Sequence, residues 1–80
     1  MIHKATFLFD IQRFDEAADA YDQAIRHHPD DPVAYYMKGL SLLRSGRNEE
    51  ALPCFEQVIR FDPDDVMTHH KMGKALFGCG

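Results

Sequence analysis

Five histidines and two cysteines are the residues of this 80-residue chain with the most chemistry to offer, and their spacing withholds it. His27–His28 and His69–His70 are adjacent pairs, and neighbours in sequence on a helix do not face one another. No H-x-x-x-H spacing occurs, and neither cysteine lies in a local ligand motif, so no metal site is expected. Cys54 and Cys79 stand 25 residues apart with no C-x-x-C. Two unpaired thiols suit a reducing cytoplasm, a disulfide or redox role being the alternative. No motif joins a nucleophile to a base. The acidic residues fall at helix starts, where capping accounts for them. The expectation is a chain with no catalytic residues and no cofactor, not an enzyme. Catalysis would enter only if the chain were a fragment of a larger protein.

Composition narrows the partners. The chain is 45% hydrophobic and 28% charged, a globular profile rather than a disordered one. A formal net charge of −4, with nine scattered basic residues, argues against nucleic acid, which is held by clustered Lys and Arg. The apolar run Phe7-Leu8-Phe9 lies between Lys4 and Asp10, too short for a membrane span or a signal-peptide core.

What must position any site is a repeat. Residues 35–65 match residues 1–31 at an offset of 34, with identity at Lys4/Lys38, Leu8/Leu42, Arg13/Arg47, Glu16/Glu50, Ala17/Ala51, Gln23/Gln57, Ile25/Ile59, Arg26/Arg60, Pro29/Pro63, Asp30/Asp64 and Asp31/Asp65. A third copy begins at Val66 and stops about halfway, with Gly39, Leu42 and Gly46 recurring as Gly73, Leu76 and Gly80. A fixed period of this length marks stacked repeats, which present surfaces more often than they house reactions.

The punctuation is helical. Pro29-Asp30-Asp31-Pro32 and Pro63-Asp64-Asp65 interrupt the chain one period apart, and the last aspartate of each is placed to cap the helix that follows. Gly46 and Gly80 stand where a helix must stop in a left-handed conformation, and Asn48 is placed to cap the next one. Between these marks Tyr35, Gly39 and Leu42 form one stripe at i, i+4, i+7, and Tyr36, Leu40 and Leu43 form a second. The spacing predicts five helices, at about 1–11, 15–28, 32–45, 49–61 and 66–77. Pro53 falls inside the fourth, near its first turn, where a slight bend rather than a break is expected.

A 34-residue helix–turn–helix repeat carrying Tyr35, Gly39, Leu42, Gly46, Ala51, Phe55, Val58 and Pro63 resembles the tetratricopeptide repeat (TPR) family. The first copy supplies Ala5, Leu8, Ala17, Tyr21, Ala24 and Pro29, with Met1 at the aromatic place and Gln12 in place of the turn glycine. Lys4 and Lys38 depart from a place that is commonly apolar in the family, and His69 replaces the aromatic in the third copy. The resemblance implies an all-α solenoid of about two and a half repeats stacked as a right-handed superhelix. Residues 1–80 would form a single domain: 1–31 a shortened first repeat, 32–65 the second, and 66–80 the first helix of the third.

The resemblance also implies a site. The first helix of each pair lines a concave groove in the family, and the corresponding residues are Ile2, Thr6 and Phe9, then Tyr36, Leu40 and Leu43, then His70, Lys74 and Phe77. A mostly apolar groove of this kind suits a peptide or an amphipathic helix from a protein partner; the alternative is that several of these side chains pack between neighbouring helices. One TPR subclass grips acidic C-terminal tails with Lys, Asn and Arg. The corresponding places hold Ile2, Thr6, Met37, Met67 and Lys71, and only Lys71 suits that role. The third copy stops at Gly80, where its second helix would begin, so Leu76 and Phe77 mark an edge for a second chain to cover as a homodimer. The alternative is a shortened chain whose last helix serves as an imperfect cap.

Overall fold

A computed structural model describes the chain from Ile2 to Phe77, with side chains described from Ala5 onward. Five α-helices and no strand occupy the described residues: α1 (Ile2–Asp10), α2 (Phe14–His27), α3 (Pro32–Arg44), α4 (Asn48–Phe61) and α5 (Val66–Leu76). Each end falls within one residue of its expected place. The helices pack in chain order, α3 most extensively against α4 and α2, with a lighter contact from α3 to α5. This is the all-α helix–turn–helix stack that the 34-residue period implies.

The aspartates cap as expected. Asp31 Oδ1 accepts from the Val33 N–H at 3.0 Å, and Pro32 occupies the first helical turn of α3, where a missing N–H leaves nothing unpaired. Asp65 holds α5 twice, accepting from the Thr68 N–H at 3.2 Å and from the Thr68 hydroxyl at 2.8 Å. Asn48 does not cap α4. The helix starts one residue early, Arg47 takes the cap place with no side-chain hydrogen bond to the helix, and Asn48 Oδ1 is buried with no hydrogen-bond partner among the described residues. A guanidinium has no acceptor to offer; Arg47 instead pairs with Glu50 and with Asp15 of α2.

Both tight turns use the same hydrogen bonds. The Arg47 N–H donates to Leu42 O at 2.8 Å and the Gly46 N–H to Leu43 O at 3.1 Å, closing α3 with Gly46 at φ +86°. One period earlier the Arg13 N–H donates to Leu8 O at 2.9 Å and the Gln12 N–H to Phe9 O at 3.0 Å. Gln12 holds the left-handed conformation there, at φ +65°. The chain makes this turn with or without glycine. Pro53, exposed on α4, leaves the helix continuous from Asn48 to Phe61.

The core follows the small residues. Ala5, Ala17 and Ala51 are fully buried, which brings their helices close. Phe55, also fully buried, lies over Gly39, and burying such a ring contributes about 1.5–3 kcal/mol. Ala18, Leu42, Leu43, Ala51, Cys54, Phe55 and Ala75 form one cluster, and Ala5, Leu8, Ala17 and Tyr21 form another. The Lys4 side chain and the expected turn at Gly80 lie outside the described residues.

Candidate functional site

Tyr36 and Leu40 form the centre of the expected site. Both are half-buried against the core of α3 and α4, with the Tyr36 ring centroid 5.9 Å from that of Phe55. Burial first, and the nearby Asp65 carboxylate second, push the Tyr36 hydroxyl above its ordinary pKa, so it stays neutral as a donor or acceptor. Leu43 does not share that openness. It is 3% exposed and belongs to the core cluster, so it packs between helices instead of offering itself to a partner. Its i+7 spacing keeps it in line with Tyr36, but it belongs to a cluster with Ala18 of α2, Ala51, Cys54 and Phe55 of α4 and Ala75 of α5.

The other expected residues spread along the same helices. Phe9, half-buried, meets Phe14 edge to face at 5.2 Å, and the Arg44 guanidinium lies over both rings at 5.8 and 5.9 Å. Thr6 is exposed, its hydroxyl 3.3 Å from that of Tyr21. On α5, His70 is exposed and Lys74 half-buried; Phe77, just past the helix, is 84% exposed. The side chain of Ile2 lies outside the described residues.

Three residues absent from the expected set join Tyr36. Val33, Phe61 and Met67 leave large apolar surfaces open, and with Pro32, Val58, Asp62 and Asp65 they line a hollow of about 510 Å³ where α3 and α5 begin and α4 ends. Val33 and Met67 are themselves one period apart. The signal was in the sequence, but their counterpart in the first repeat would precede Met1, so comparing residues 1–31 with 35–65 passes over them.

The C-terminal edge has its own geometry. A Cβ on Gly39 would meet the Phe55 ring, whereas one on Gly73, a period later, would have nothing within 4 Å among the described residues. Leu76, the counterpart of buried Leu42, is 67% exposed.

Lys38 explains its own departure from an apolar place. Its Nζ lies 2.8 Å from Asp22 Oδ1, tying α3 to α2, while Arg26 holds the other oxygen at 3.1 Å. The Lys38 hydrogen bond is the largest influence holding the Asp22 carboxyl below its usual range. Cys54 is a free, buried thiol, and burial pushes its pKa up, so it is a poor nucleophile. Among the described residues no group of three His, Cys, Asp or Glu side chains is placed to hold a metal ion. None of the described helices is long and apolar enough to cross a membrane.

The chain matches no curated protein. A family profile described as tetratricopeptide repeat matches residues 4–66, most of the chain and both copies of the Pro-Asp-Asp signal. With two helix–turn–helix pairs and a fifth helix packed on them, the Gly39–Phe55 contact and this match, the chain belongs to the tetratricopeptide repeat family, whose members are generally protein–protein interaction modules and typically non-catalytic.

Proposed function

We propose that this chain is a non-enzymatic binding module that holds a peptide or amphipathic helix of a cytoplasmic protein partner against the α3 face. The observation that carries the reading is the half-open apolar pair Tyr36 and Leu40 beside the hollow at Val33 and Met67, with Phe9 under Arg44 at the far end of α3. Scattered single apolar residues are ordinary on a surface; a contiguous run along one helix marks a partner site. The test is affinity capture from native lysate with wild type, Tyr36→Ala and Leu40→Ala, each checked by circular dichroism. Partners are lost from both variants while helicity stays intact. Loss of helicity instead would assign the two residues to the core and remove the site.

Self-assembly is a second reading, favoured by the open space over Gly73 beside exposed Leu76 and Phe77. In it, a second copy covers the face that α4 covers one repeat earlier. Light scattering across concentration decides it, since a strict monomer at high concentration rules it out.

A further inference from the structure

The α3 face carries acidic groups at one end and a basic group at the other. At its start, Asp62 and Asp65 line the hollow formed by Val33, Tyr36, Phe61 and Met67. The N-termini of α3 and α5 offset this by about half a charge each, and the C-terminus of α4 returns about half a charge of the opposite sign. Two carboxylates therefore leave that end net negative. At the other end, Arg44 lies eight residues beyond Tyr36, about 12 Å along the helix, and its unit charge exceeds the roughly half charge of opposite sign at the α3 C-terminus. It rests on the faces of Phe9 and Phe14, and no ion pair among the described residues uses it.

Val33 and Met67 are each 59% exposed at the open end, and Phe61, tilted against Tyr35 at 6.3 Å, is 47% exposed. Three large side chains from three helices converge there with the Tyr36 ring. A hollow this apolar with an acidic rim disfavours an acidic tail, which would meet like charge, and leaves a purely apolar segment with no partner for either end.

The geometry points to a helical partner segment of opposite polarity: an apolar side chain seated among Val33, Tyr36, Phe61 and Met67, an adjacent Lys or Arg facing Asp62 and Asp65, and an Asp or Glu about two helical turns away facing Arg44. This rests on the α3-face reading above and adds the charge pattern and the direction in which the partner lies.

A random-peptide display library selected on the whole chain tests it. The selected peptides carry a basic residue beside an aromatic or branched apolar one, with an acidic residue about seven or eight positions away. Synthesised singly, they lose more than about tenfold in affinity on Met67→Glu, which places an unpaired charge in the apolar hollow. They lose about twofold to fivefold on Asp62→Asn, the range for one exposed ion pair. That variant keeps the Oδ1 acceptor that receives the Asp64 N–H at 3.2 Å, so the turn is preserved. Exchanging the acidic and basic residues of a peptide weakens it in wild type. Peptides that are lost on Leu40→Ala yet indifferent to Met67→Glu and to charge exchange would uphold the α3 face and overturn its polarity. Peptides indifferent to Leu40→Ala as well, or no enrichment over bare support, overturn both.

Discussion

The ring of Phe55 occupies the place where a side chain on Gly39 would be: its Cε1 lies 2.6 Å from an ideal Cβ there. Phe55 is fully buried, so the ring has no open space into which to swing. The α3–α4 pair depends on that absence of a methyl group. One period on, no described residue lies within 4 Å of where a Cβ on Gly73 would be.

The two glycines therefore respond to alanine with opposite sign. Gly→Ala inside a helix favours the helix by about 1 kcal/mol. At Gly39 overpacking against Phe55 outweighs this, and Gly39→Ala destabilises by about 1–3 kcal/mol. Gly73→Ala raises stability by about 0.5–1 kcal/mol. Urea denaturation of the two variants checks both. Equal effects would mean that the Phe55 ring gives way.

Gln12 and Gly46 make the same turn, and only one of them does so without strain. A side chain in the left-handed region costs about 1 kcal/mol relative to glycine. Gln12→Gly raises the urea midpoint, by about 0.5–1 kcal/mol in stability, while Gly46→Gln lowers it by a similar amount. An unchanged midpoint in Gln12→Gly would show that the turn holds no strain.

The Lys38–Asp22 pair makes stability depend on acid. Its carboxyl titrates lower in the folded chain than unfolded, so its contribution is fully present above the unfolded value near 4. It is lost as pH falls through the depressed folded value. Lys38→Met removes the largest cause of that depression and leaves Arg26 as partner. Between about pH 5 and about pH 3 the variant therefore loses less stability than wild type, measured by urea denaturation at each pH. Some acid sensitivity remains, because Glu50 beside Arg47 and Asp65 beside Thr68 are depressed as well. Equal acid loss in both proteins would show that the pair adds nothing.

The 34-residue period, read with the Pro-Asp-Asp signals and the i, i+4, i+7 stripes, determined the number of helices, their bounds and their pairing. These features are local: a cap, a prolyl residue and an apolar spacing act on the backbone within one or two turns, wherever the rest of the chain goes. The Asp31 and Asp65 caps were legible for that reason. The Asn48 cap failed for an equally local one, since a one-residue shift in where α4 starts makes Arg47 the cap residue.

Exposure was decided by the tertiary structure. Tyr36, Leu40 and Leu43 lie on one stripe in the sequence, yet Leu43 is buried in a cluster built from α2, α3, α4 and α5. The hollow of Val33, Phe61 and Met67 comes from three helices whose ends meet, and no spacing along one helix encodes it. Gly39 and Gly73 hold the same place in the repeat; α4 brings Phe55 to one, and nothing in the described chain reaches the other. Periodicity orders side chains around a single axis, while burial depends on the neighbouring axes, and those are set only when the helices pack.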